Sequence, residues 1–141
     1  MSLSSIFQVS GAGLSVQRDR MDVITENIAN INTTRTPEGG PFKPKEISVI
    51  SKKMKDFALD FGKAKMNVPS VASISDSTRP PIAIYDPTHP DAQDGYVLYP
   101  DINATEELVN MMTASTAYEA NMNIFNSSKA MILKTLELGE G

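Results

Sequence analysis

The chain has 141 residues, no cysteine, no tryptophan, one histidine and a net charge of −4, enough for one ordinary domain or a small domain with helical arms. Lacking cysteine, it has no disulfide scaffold, thiolate zinc site, iron–sulfur cluster or cysteine nucleophile, and one histidine excludes a multi-histidine metal site. With 40% hydrophobic and 21% charged residues it reads as a folded protein, and its mildly acidic balance argues against nucleic acid as a partner.

The first ten residues, MSLSSIFQVS, lack the basic start and continuous apolar core of a secretory signal. No stretch approaches the roughly 18 apolar residues that span a bilayer. The expectation is a protein that does not cross a membrane, either cytoplasmic or exported without a cleaved leader. The N-x-[ST] matches at Asn32, Asn103 and Asn126 read as chance.

All nine prolines fall between Pro37 and Pro100. Because proline breaks helix interiors, this divides the chain into 1–36, 37–100 and 101–141, with long helices allowed only in the flanks. In the first flank Phe7, Leu14, Met21 and Ile28 form one heptad-spaced row. Leu3, Ile24 and Ile31 form most of a second, with Ser10 and Gln17 in its gaps. The spacing predicts a helix over about 4–31, roughly 42 Å long, weakened at Gly11 and Gly13.

The middle segment predicts short strands at Lys45–Ser51, Ser70–Ser75, Pro81–Tyr85 and Gly95–Tyr99, each rich in β-branched or aromatic residues. Charge is polarised here. Arg35–Lys65 carries eight basic and four acidic residues, and Asp76–Glu107 one basic and seven acidic. A basic patch could therefore meet a neighbour's acidic patch.

In the second flank, Asn103-Ala-Thr-Glu106 reads as a capping box that opens a helix running to about Leu138 and stopping at Gly139. Its expected seam is Leu108, Met111, Ser115, Tyr118, Met122, Phe125, Lys129, Ile132 and Leu136. Each helix also has a back row two residues on: Val9, Val16 and Val23, then Ala117, Ile124, Met131 and Leu138. A two-helix hairpin would leave both back rows in water, so other subunits are the expected cover. The fold expected is mainly α with a small β part, the terminal helices paired as an antiparallel coiled coil.

Catalytic constellations are sparse. His89, in Asp86-Pro-Thr-His-Pro-Asp91, has neighbouring carboxylates but no nucleophile context such as G-x-S-x-G. Asp91-Ala-Gln-Asp-Gly95 is faintly like a calcium loop and fails its spacing; a rigid turn capped by Asp side chains is the simpler reading. No metal, cofactor or small-molecule substrate is expected. Asn27, Asn30 and Asn32 close the first helix and Asn121, Asn123 and Asn126 lie midway along the second; they read either as helix-end caps and solvated faces or as amides that satisfy partners across packed helices and fix register.

Two stretches then carry a resemblance. Gly13-Leu-Ser-Val-Gln-Arg18, Arg20-Met-Asp-Val-Ile24 and Glu26-Asn-Ile-Ala-Asn-Ile-Asn-Thr-Thr34 closely resemble the N-terminal signature of bacterial flagellar rod and hook proteins. Thr36–Phe42, Asp86–Ala92, Asp94–Val97, Glu107–Met112, Tyr118–Asn121 and Lys134–Leu136 resemble the proximal-rod members of that family. The resemblance implies a non-enzymatic basal-body subunit, passed unfolded through the flagellar export gate and polymerised helically as the proximal part of the periplasm-spanning drive shaft. Its implied partners are copies of itself, other rod proteins, and ring and export-gate components. Seam and resemblance together nominate Leu14, Gln17, Met21, Ile24, Asn27, Ile28, Asn30, Met111, Tyr118, Asn121, Met122, Phe125 and Ile132 as an assembly interface. The alternative reading is a soluble coiled-coil adaptor.

Overall fold

A computed structural model describes residues 3–53 and 67–139. The elements are α1 (Leu3–Ala29), β1 (Lys45–Lys53), β2 (Asn67–Asp76), β3 (Ile82–Tyr85), β4 (Tyr96–Tyr99) and α2 (Ala104–Gly139). Two helices thus flank a small β part made of two antiparallel hairpins, β1–β2 and β3–β4. All four predicted strands exist. The basic block of the sequence extends to Lys65, and its Lys55, Lys63 and Lys65 lie outside the described residues.

Each element stops for a local reason. Asn30 turns back on the end of α1: its Nδ2 donates to Glu26 O at 2.8 Å, while its Oδ1 accepts from the Thr33 hydroxyl at 3.1 Å. At the start of α2, Asn103 Oδ1 accepts from the backbone N–H groups of Thr105 (3.0 Å) and Glu106 (3.4 Å), as an N-cap should. Four α2 hydroxyls, on Thr113, Thr116, Ser128 and Thr135, donate to carbonyls four residues earlier at 2.8–2.9 Å.

The connection from β3 to β4 runs over residues 86–95 and ends in a two-residue turn, Asp94-Gly95, between the bridged Gln93 and Tyr96; both turn residues have positive φ (51° and 83°), the geometry such an Asp-Gly turn requires. The segment compared above with a calcium loop is thus the tight turn that leads into β4. Among the described residues no cluster of His, Asp or Glu could hold a metal. Nor is any described helix long and apolar enough to cross a membrane.

The seam on α2 differs from expectation. One expected row holds: Met111, Tyr118, Phe125 and Ile132 are all half-buried. Its companion is not Leu108, Ser115, Met122, Lys129 and Leu136, of which Leu108, Lys129 and Leu136 are exposed. Instead Ala114, Asn121 and Ser128, three residues beyond the first row, turn inward, with Ala114 and Ser128 buried. Small side chains let two backbones approach, whereas a lysine at that position needs water.

The two helices approach closely at Gly13. A Cβ placed there would stand 2.9 Å from Asn121 Nδ2. The glycine that weakens α1 as an isolated helix therefore makes room for α2. Gly13→Val is expected to lower stability by about 1–3 kcal/mol through overpacking. Asn121→Ala in the same chain should recover part of that loss in urea unfolding. No coupling between the two substitutions would overturn the assignment.

A second correction concerns the back row of α1. Val16 and Val23 are only 5% and 6% exposed. The β1–β2 hairpin lies along α1, with Ile47, Val49 and Pro69 close to Val9, Val16 and Arg20. The chain covers this row itself, with strands the sequence could not place. The back row of α2 has no such cover: Ile124 is exposed, Met131 is 58% and Leu138 84% exposed.

Candidate assembly site

Within the described residues the buried apolar side chains are seven: Val16, Val23, Ile24, Pro44, Val97, Pro100 and Ala114. Sixteen large apolar residues are exposed, half of them on α2. So small a core lies beside an exposed apolar surface concentrated on α2.

Of the thirteen nominated residues, none is exposed. Ile24 and Asn27 are buried and the rest are half-buried. Phe125 meets Phe7 edge to face, with ring centroids 4.9 Å apart at 83°, a favoured aromatic geometry. Asn121 faces Gly13. Gln17 lines the same cleft as Gly13 and Asn121, and its Oε1 is buried with no hydrogen-bond partner among the described residues. These side chains are therefore partnered largely within the chain, where α1 and α2 meet.

Asn27 does something different. It is 3% exposed, and its amide clasps the backbone of Lys45: Nδ2 donates to Lys45 O at 3.0 Å and Oδ1 accepts from Lys45 N at 2.8 Å. Glu26 adds an ion pair to the Lys45 ammonium. The Asn27 amide also faces the Glu107 carboxyl at the start of α2. One side chain thus ties α1 to β1 beside the first turn of α2. Burial, then the neighbouring Glu106 charge, pushes the Glu107 carboxyl above the usual carboxylate range; Arg79 and the Asn27 amide partly oppose this.

The Asp86–Asp91 turn is structural as well. Asp86 Oδ1 accepts from the hydroxyl and backbone N–H of Thr88, and the hydroxyl contact is the main cause holding its carboxyl below the ordinary value. His89 Nδ1 accepts from the backbone N–H of Asp91 at 3.1 Å. The Asp91 carboxylate is taken by the Thr34 hydroxyl (2.9 Å) and by Arg35 (3.7 Å). Asp91 therefore does not orient His89 as a base; it docks the turn onto the chain leaving α1.

Sequence reasoning missed the buried faces of Ala114 and Ser128, although small residues spaced seven apart around Asn121 were a readable signal. It also missed the exposed Val109, Met112 and Leu133, which fall outside the rows it traced.

Family comparison agrees with the positions of these features. Residues 7–35, most of α1 and its exit, match the family described as flagella basal body rod protein. Residues 93–138, covering β4 and α2, match the flagellar basal body rod FlgEFG protein C-terminal family. The flagellar basal-body rod protein FlgC of Borreliella burgdorferi is 40% identical over the whole of both chains. Those of Salmonella typhimurium (36%, 99% of this chain and 100% of the relative) and Bacillus subtilis (35%, 94% and 95%) are similar throughout. The chain belongs to the FlgC family of flagellar basal-body rod proteins. It is a structural subunit of the bacterial flagellar basal body, located in the rod.

Proposed function

We propose that the chain builds the proximal rod by pairing α1 and α2 as an antiparallel coiled coil whose outer face on α2 is covered by neighbouring subunits. The exposed apolar row of Ile124, Met131 and Leu138, joined by Val109 and Met112, carries this reading. Three pairings support the antiparallel sense: Phe7 with Phe125, Gly13 with Asn121 and Asn27 with Glu107, ascending on α1 as they descend on α2. Residues 1–36 and 101–141 then form the helical core of the subunit, and the middle segment 37–100 lays its β1–β2 hairpin along α1.

The thirteen seam and clasp residues serve assembly by fixing how α1 presents α2, and their half-open edges are completed by neighbours. Contacts that do not close into a ring propagate as a helix, which suits a shaft crossing the periplasm and transmitting torque to the hook. A subunit with so few buried apolar side chains is marginal alone and gains stability in the polymer; passage through the export gate unfolded is in keeping with that. Its partners are copies of itself, sister rod proteins, and ring and export-gate components. Its role is structural rather than catalytic, in line with the names of its relatives.

The test is fractionation. A tagged chain is expected to copurify with intact basal bodies and to resist extraction until the rod is dissociated. A chain found only in the soluble fraction, bound to cytoplasmic proteins, would instead mark an adaptor.

A further inference from the structure

We propose that Glu107 is a proton-operated latch: protonation of its carboxyl closes the first turn of α2 onto the Asn27 clasp, and ionisation loosens the joint where α1, β1 and α2 meet. The proposal goes beyond membership of the rod and does not depend on it.

The joint is built around one buried amide. Asn27 is engaged with the backbone of Lys45, donating at 3.0 Å and accepting at 2.8 Å. α2 reaches this clasp through its first turn, where Ala104, Thr105 and Glu106 are exposed and Glu107 alone is half-buried. Glu107 has no cation of its own. Glu26 holds the Lys45 ammonium, and Arg79 lies between Glu46 (3.6 Å) and the Ser77 hydroxyl (3.3 Å). No ion pair among the described residues includes Glu106 or Glu107. The cations around the joint and its adjoining cleft are Lys43, Lys45 and Arg79. They are outnumbered by the carboxyls of Glu26, Glu46, Asp76, Asp101, Glu106 and Glu107.

Burial, then the Glu106 charge, raises the Glu107 carboxyl above its ordinary value, while Arg79 and the Asn27 amide pull the other way. The positive end of the α2 dipole also favours the ionised form, but Asn103 already takes the N–H groups of Thr105 and Glu106. Once protonated, Glu107 adds no charge to the crowd of carboxyls and gains an O–H to donate among them. A carboxyl raised in the fold stabilises it in full below the ordinary value, and that contribution is lost as pH climbs through the raised one. The latch is therefore shut in acid and slack at neutral pH.

Urea unfolding of the purified full chain at about pH 4 and about pH 7.5 tests the latch. Glu107→Gln keeps the shape of the side chain and carries no charge at either pH. Its midpoint is expected above the parent's at the higher pH, with the gap shrinking at the lower. Glu106→Gln should also raise the midpoint at the higher pH, because it removes the neighbouring charge. Followed by carbon-13 NMR, the Glu107 carboxyl should titrate above the free-glutamate value. Exchange of the Lys45 amide, taken relative to its intrinsic rate, should slow as pH falls through that titration in the parent and not in Glu107→Gln. A Glu107→Gln midpoint at or below the parent's at the higher pH would overturn the proposal. So would a gap of equal size at both pH values, or Lys45 exchange that ignores the Glu107 titration. None of these readings bears on copurification with basal bodies, so latch and rod membership are tested apart.

Discussion

Phe125→Asp is expected to abolish swimming while the protein accumulates to its normal level. The substitution removes the edge-to-face partner of Phe7, worth about 0.5–1.5 kcal/mol, and roughly 1.5–3 kcal/mol of apolar burial when complete. It also sets a carboxylate between the helices. Because Phe125 is half-buried inside the chain, its loss acts first on the α1–α2 seam and only through it on neighbours. Ile124→Asp separates the two effects. Ile124 is exposed, so this variant should melt like the parent and still fail to assemble. Normal motility in Phe125→Asp cells would sink the assignment of the seam. Normal motility in Ile124→Asp cells would remove the outer face of α2 from the interface.

The second large effect is at Asn27. Asn27→Ala leaves both backbone groups of Lys45 without their partners. Each unsatisfied group costs about 1–3 kcal/mol, so a loss of about 2–6 kcal/mol is expected for the two. Hydrogen exchange should locate it: protection at the Lys45 amide and along β1 should fall well before that of α2. Asn27→Asp is no rescue, since it loses the donor and brings a charge towards Glu26 and Glu107. An unfolding midpoint equal to that of the parent would mean that the clasp adds nothing.

Much of the local architecture was legible in the sequence. Proline placement separated the helical flanks from the middle, Asn103 marked the start of α2, and β-branched runs located four strands. What escaped was pairing. Nothing local says that Lys45, 18 residues beyond Asn27, is the partner of its amide, nor that β1 and β2 fold back over Val16 and Val23. The heptad row through Ser115, Met122 and Lys129 was as apolar by letter as the row through Ala114, Asn121 and Ser128. Side-chain size and closeness of approach decided between them, and these exist only once Gly13 stands opposite Asn121.

Four hydroxyls on α2 change how its surface meets water. Thr113, Thr116 and Thr135 are exposed, yet like Ser128 they spend their donors on the helix's own carbonyls. Drying such a surface strips away little hydrogen bonding, since the donors keep their partners and the threonine methyls remain. A neighbour laid against α2 meets a lower desolvation cost than the letters T and S imply. The helix is drier than it is spelled.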